Sequence, residues 1–274
     1  MIFKKKLMFS VILCCLMLTS LQAELSETGL RAITNPSADI MLSFVQPGRI
    51  AWINAREGDI VKADQILVMQ QDDVEQYQLL QLKAESEDTT RIQASEASLA
   101  QKQVDLKKLE RAAARNAATE LEVEHAKLEF KIAELSLELS KFEHEQAQRK
   151  YEEAKIRIQR MKLKNPIDGI VEEILVEVGE SVNALDNVVR IVRIDPLWID
   201  VPVNLTKAST LKNGGIAKVT FPNPNSTSVV GKIINIAAVA DAASGTLRIR
   251  IEVPNKSKRP AGEHVEIFFP TSQK

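Results

Sequence analysis

The stretch GRIAWINAREGDIVKADQILV, residues 48–68, returns later in the chain as GIVEEILVEVGESVNALDNVV, residues 169–189. In both copies two glycines stand ten apart, Gly48 and Gly58, then Gly169 and Gly179. Ile50 answers to Val171, Ile53 to Ile174, Val61 to Val182, Leu67 to Val188 and Val68 to Val189, always at an offset of 121. The glycines suit tight turns, which use the positive φ that glycine adopts cheaply. The apolar residues between them alternate as in short strands. Each copy is too small to bury its own apolar face, so the two are expected to pack together as one β-unit.

What separates the copies has a different character. All ten Gly and all ten Pro of the chain lie outside residues 59–165. So long a gap without breakers points to helix. Asp72 or Asp73 is a candidate N-cap, and Asn165-Pro166 ends the segment, because the residue before proline is pushed out of the α region. One continuous helix over this length would run about 140 Å, so two antiparallel helices, each about 65 Å, are expected. The turn falls near residues 111–120, with Asn116 as a left-handed residue and Thr119 as an N-cap followed by Glu120 and Glu122. Heptad spacing places Ile92, Leu99, Leu106 and Ala113 on one arm against Leu121, Leu128, Leu135 and Phe142 on the other, with Ile132 and Leu139 beside them. Val123, Phe130 and Leu137 lie on another side of the second arm. They are read either as a face for a further packing partner, such as a second copy of the chain, or as scattered surface residues.

After residue 195 the sequence reads as a small β-barrel. Candidate strands are residues 197–203, 215–221, 229–236 and 246–253. In the last, Leu247, Ile249, Ile251 and Val253 point inward, and Arg248, Arg250 and Glu252 outward.

At the other end, Lys4-Lys5-Lys6 precedes an apolar run over residues 7–21, and small Ala23 follows. This is the pattern of a cleaved signal peptide, with an uncleaved anchor as the alternative. Cys14 and Cys15 both fall inside it, and neither follows the small residue that lipid attachment requires, so no lipidation is expected. Cleavage would leave no cysteine for a disulfide, a metal or a nucleophile.

The net charge of −1 argues against a general nucleic-acid binder. His125, His144 and His264 are too scattered to share an ion, and no phosphate-binding glycine loop is present. No catalytic, metal or cofactor residues are assigned, and the chain is not read as an enzyme.

Four segments together resemble the periplasmic adaptor, or membrane fusion, family of tripartite efflux pumps, of the resistance-nodulation-division type. They are residues 48–68, PIDGIV with VGESV (166–182), IVRIDPLWIDVPV (191–203), and GKI with DAASGTLRIRIEVPN (231–255). The resemblance implies an α+β chain: a split lipoyl-like β-sandwich, an inserted antiparallel coiled-coil hairpin, and a small β-barrel. It implies a signal peptide over 1–23, a lead-in over 24–39, lipoyl-like halves over 40–72 and 165–194, a hairpin over 73–164, and a barrel with a short tail over 195–274. A lipoyl carrier would need a lysine where the halves meet, and Met69-Gln-Gln-Asp-Asp73 offers none. Many members add a membrane-proximal β-domain after the barrel, whereas this sequence stops at Lys274, soon after Val265-Glu-Ile-Phe-Phe269.

The implied function is that of a periplasmic adaptor held at the inner membrane, with an inner-membrane transporter, an outer-membrane channel and further copies of itself as partners. The alternatives are the adaptor of an ATP-driven exporter and a periplasmic coiled-coil scaffold with no transport role. Family hairpin tips carry an Arg, a Leu four residues on and a Ser seven further. Lys108, Ala112 and Thr119 stand at those places here, and Arg115 joins them as a candidate channel contact. Lysine keeps the charge but not the fork of an arginine.

Overall fold

A computed structural model describes residues 29–222 and 226–270. The expected signal segment, with Cys14 and Cys15, lies outside the described residues. The described residues form two compact units, one from the stretches up to Ile40 and from Ile191 onward, the other from Met41–Arg190.

The first unit is a barrel. Around it run β1 (Leu30–Ser43), β12 (His264–Phe268), β9 (Ile216–Phe221), β10 (Thr227–Ile236), β11 (Thr246–Val253) and β8 (Asn187–Asn204). A pairing of β8 with β1 closes the circle. Strand β11 alternates as its sequence demands: Ile249, Ile251 and Val253 are buried, and Arg248 is exposed. They meet Ile199, Val201 and Val219 in the core, with Phe221 and Phe269. The lead-in expected over 24–39 needs correction. From Leu30 it is the first barrel strand, with Leu30 opposite Ile267 and Ile33 opposite His264. Its alternation is interrupted by polar Thr34 and Ser37, which hid it. Both are nonetheless buried, with Thr34 accepting from the Glu263 N–H and Ser37 donating to the Arg193 carbonyl.

Gly231 shows how tightly β10 lies on β11. A Cβ there would sit 2.5 Å from Ile251 Cγ2 and 3.1 Å from Val253 Cγ2. Gly231→Ala is therefore expected to destabilise the barrel by about 1–3 kcal/mol, as overpacking does. Thermal unfolding of the variant measures it, and an unchanged melting temperature would show that the two strands separate freely.

The second unit answers the sequence repeat. Strand β2 (Gly48–Ile53) pairs with β7 (Ser181–Val182), and β3 (Ile60–Val61) with β6 (Gly169–Ile174). Under the offset of 121 these are the same pairing seen from either half: Gly48↔Val182 becomes Gly169↔Val61. The turn bonds follow the same rule. Gly58 N–H donates to Val171 O at 2.8 Å and Gly179 N–H to Ile50 O at 2.9 Å. Asp64 N–H donates to Asn165 O at 2.7 Å and Leu185 N–H to Phe44 O at 2.8 Å. Both glycines have positive φ, 86° and 89°. Each half thus satisfies the backbone of the other. The equivalent apolar pairs, Leu67 with Val188 and Val68 with Val189, are all fully buried.

The helices enter between neighbouring strands. Strand β4 (Ile66–Gln70) pairs antiparallel with β5 (Lys162–Lys164), and everything between them is helical insertion. It comprises α1 (Asp73–Glu87), α2 (Thr90–Ala113) and α3 (Glu120–Arg160). Cross-helix bonds keep a near-constant sum of residue numbers, as antiparallel neighbours must. Arg91 meets Glu143 at 2.6 Å, the Ser95 and Ser140 hydroxyls meet at 2.8 Å, and Lys102 meets Glu129 at 2.8 Å.

Three expectations change here. The first arm is two helices, because Asp88 takes an extended conformation. The residues of this arm facing α3, Leu79, Leu82 and Ser86, then Ile92, Ser95 and Leu99, lose one residue of phase across that point. The non-helical step absorbs the slip. Second, Asp72 precedes α1 but its side chain caps nothing; its carboxylate accepts from Gln76 Nε2 instead. Third, the faces of α3 are exchanged. Its inner face is Val123, Ala126, Phe130, Ala133, Leu137 and Ser140, buried or half-buried, whereas Leu121, Leu128, Ile132, Leu135, Leu139 and Phe142 are 51–76% exposed. Both stripes have helical-pair spacing. The one with Ala126, Ala133 and Ser140 wins because Ile92, Leu99 and Leu106 on α2 already fill the seam, and small facing residues let the helices close.

Candidate functional site at the helical turn

Residues 114–119 join α2 to α3 through a turn closed by backbone bonds to the end of α2. Ala117 N–H donates to Ala112 O at 2.9 Å and Asn116 N–H to Ala113 O at 2.9 Å. This pair of bonds is a Schellman motif, with Asn116 in the left-handed place at φ 53°. Helix α3 then starts with a capping box. Glu122 N–H donates to Thr119 Oγ1 at 3.3 Å, while Thr119 N–H donates to Glu122 Oε2 at 2.7 Å. That backbone donor, followed by the Thr119 hydroxyl, holds the Glu122 carboxyl below the usual carboxylate range. The cap therefore strengthens above the unfolded carboxylate pKa and weakens as pH falls through the lowered folded value.

The four candidate residues have separate situations. Lys108 lies on the outer side of α2, its side chain 70% exposed and 3.9 Å from Asp105. Arg115 is exposed in the turn. Thr119 is exposed but committed to the cap. Ala112 is half-buried, and its carbonyl serves the turn, so it offers a partner little of its own. The sequence reading missed Glu122 as the second half of the cap; the Thr-x-x-Glu spacing was the available signal. Among the described residues no group of three or more His, Cys, Asp or Glu is placed to hold a metal ion, and no helix is long and apolar enough to cross a membrane.

Comparison with known proteins agrees with this architecture. The family described as the CusB-like β-barrel domain matches residues 196–262. The cation efflux system protein CusB of Escherichia coli K12 is 35% identical over 98 residues, 35% of this chain and 24% of CusB. The putative membrane fusion protein SilB of Salmonella typhimurium is 31% identical over 100 residues, 36% of this chain and 23% of SilB. The matches thus span about a quarter of those relatives. The crystal structure of MacA from Actinobacillus actinomycetemcomitans superposes with a TM-score of 0.71 at 17% identity, covering 88% of this chain and 78% of MacA. At that identity the likeness is one of fold, and it covers strands, helices and barrel together. Residues 196–262 thus have the sequence of a CusB-like β-barrel domain, and the chain has the fold of MacA.

Proposed function

We propose that this chain is the periplasmic adaptor of a tripartite efflux pump of the resistance-nodulation-division type, linking an inner-membrane transporter to an outer-membrane channel as an assembly of several copies. In this reading the intertwined β-unit is a split lipoyl-like domain over 40–72 and 165–194. The helices over 73–164 are a coiled-coil hairpin, and the barrel from 195 onward faces the transporter. A cleaved signal over 1–23 delivers the chain to the periplasm, and its role is mechanical rather than catalytic. The observation that carries the reading is the combination of a CusB-like barrel with helices inserted between adjacent strands β4 and β5. An arm hung on a paired strand edge can reach a distant partner without disturbing the unit that bears it.

Lys108, Arg115 and Thr119 are the proposed channel contacts. Thr119→Asp keeps a residue that caps at least as well as Thr, yet it adds a negative charge, so the melting temperature should hold while channel cross-linking in cells weakens. Adding Lys108→Glu and Arg115→Glu should cut capture by about tenfold or more, equivalent to ~1.4 kcal/mol or more of binding free energy. Undiminished capture by the folded triple variant would remove the turn from the mechanism and favour a scaffold without transport.

A further inference from the structure

The barrel is lopsided in charge. From residue 201 to residue 240 its sequence holds four lysines, Lys207, Lys212, Lys218 and Lys232, and no Asp, Glu or Arg. This stretch forms β9, β10 and the turns beside them. Ile216, Lys218 and Thr220 of β9 stand opposite Lys232, Val230 and Ser228 of β10 on the outer wall, while Ala217, Val219 and Phe221 are buried. Ile216 and Val230 are 59% and 62% exposed, so two bare branched side chains stand among the lysines.

The surroundings supply little acid. Glu252 lies opposite Lys232 and Glu266 opposite Thr220, but Glu266 is 3.9 Å from Arg31. Beyond β11, Asp200 is held by Arg250 in two hydrogen bonds of 2.8 Å. Asp241, just past the stretch, accepts from the Ala243 and Ser244 N–H groups of its own turn. Among the described residues Lys212, Lys218 and Lys232 form no ion pair.

The barrel end at which β9 begins has further marks. The short helix α4 (Leu205–Ala208) carries Leu205, 46% exposed, and the turn after β10 carries Val239, 82% exposed. The chain also enters the barrel here. A Cβ on Gly29 would stand 2.7 Å from Phe268 Cζ, and Phe268 lies opposite Lys218. Residues 22–28 separate Gly29 from the apolar run over 7–21, and such a length spans at most about 25 Å. While that run sits in a membrane, this end of the barrel is held close to it.

The kind of cation selects the occupant. Protein interfaces favour arginine, which forks onto carboxylates, and are depleted of lysine. On β9, β10 and their turns every cation is lysine, a hydrated point charge on a long flexible stem. That suits a diffuse layer of anionic headgroups, with lysines reaching the phosphates and the apolar side chains between them entering the edge of the layer.

We propose that the β9–β10 face of the barrel, with Lys212, Lys218 and Lys232 around Ile216 and Val230, binds the surface of an anionic lipid bilayer. The contact keeps the exported chain at the membrane once the apolar run has been cut away. That cleavage belongs to the function proposed above, but the binding needs neither transporter nor channel, so its failure and the failure of the adaptor reading are separate results. Without residues 1–23 the chain loses three lysines and carries −4 rather than −1. Its net charge then opposes an anionic surface, and only a local face can bind one.

The exported chain, from Glu24 onward, is mixed with vesicles of phosphatidylcholine alone or of phosphatidylcholine with phosphatidylglycerol, and bound protein is measured by sedimentation. It should bind the second kind, and added salt should release it. Lys212→Gln, Lys218→Gln and Lys232→Gln together should cut binding at least tenfold, since each lysine near such a surface contributes about fivefold. The melting temperature should hold, because all three are exposed. Lys127→Gln, Lys131→Gln and Lys155→Gln change the net charge equally on α3 and should leave binding as it was. Equal loss from the two sets would overturn the proposal in favour of overall charge. A polarity-sensitive dye on Val230→Cys should report apolar surroundings on binding, and the same dye on Val178→Cys, 62% exposed in the second unit, should not. The reverse would move the contact off the barrel and sink the idea. No binding of the unaltered chain to anionic vesicles would overturn it outright, and loss of an inner-membrane cross-link from the lysine variant in cells would then assign the face to an acidic protein.

Discussion

Replacing residues 71–160 by an Asn-Gly turn will leave a β-unit that still unfolds cooperatively and, on the proposed adaptor role, will abolish capture of an outer-membrane channel. Strands β4 and β5 are already antiparallel neighbours, with Met69 opposite Lys162 and Gln70 N–H donating to Met161 O at 3.0 Å. A two-residue turn of this type closes such a hairpin, because its twist matches that of the strands. The buried pairs Leu67 with Val188 and Val68 with Val189 remain in place. Calorimetry or circular dichroism checks the fold, and cross-linking in cells checks the capture. A trimmed chain that melts without a transition would mean that the helices are needed to bring the halves together. A trimmed chain that still captures the channel would move docking away from the helices.

Val189→Asp will unfold the β-unit, and Val68→Asp, its equivalent in the first half, will do the same. Both side chains have no solvent exposure. A carboxylate there must either remain charged without a partner or take up a proton, and the loss is on the order of 3–5 kcal/mol. That is comparable with the whole stability of many domains, about 5–15 kcal/mol. Because each half closes the other's hydrogen bonds, damage to one core position cannot stay within its half. The control is four residues away. Leu185 is 72% exposed and holds φ 68°, matching Asp64 at φ 63° in the first half. Leucine bears the left-handed conformation poorly, at about 1–2 kcal/mol, and asparagine tolerates it. Leu185→Asn should therefore hold or raise the melting temperature. A folded Val189→Asp with a native-like transition would show that the halves are not interlocked as described.

The two β-unit copies could be read directly, because a turn that needs positive φ and a strand with one buried face each leave local marks. Gly58 and Gly179, the apolar positions at offset 121, and the alternation of β11 all recur in the structure as turns, buried pairs and an inward face. The helical span was legible from missing breakers, and its turn from Asn116 and the Thr119 cap. What could not be read was which partner each face meets. Strand β1 passed as a lead-in because its mates, β12 and β8, lie far away in the chain, and a strand with buried Thr34 and Ser37 has no apolar rhythm of its own. On α3 two stripes of one period compete, and periodicity cannot rank them. Volume decided it: α2 brings Ile92, Leu99 and Leu106 to the seam, so α3 turns inward the stripe that alternates Val123, Phe130 and Leu137 with small Ala126, Ala133 and Ser140, and leaves the stripe made of large residues throughout outside. Local sequence thus determined where strands, turns and helices form. The tertiary structure alone decided which faces were closed, because closing a face depends on the shape of a surface contributed from elsewhere in the chain.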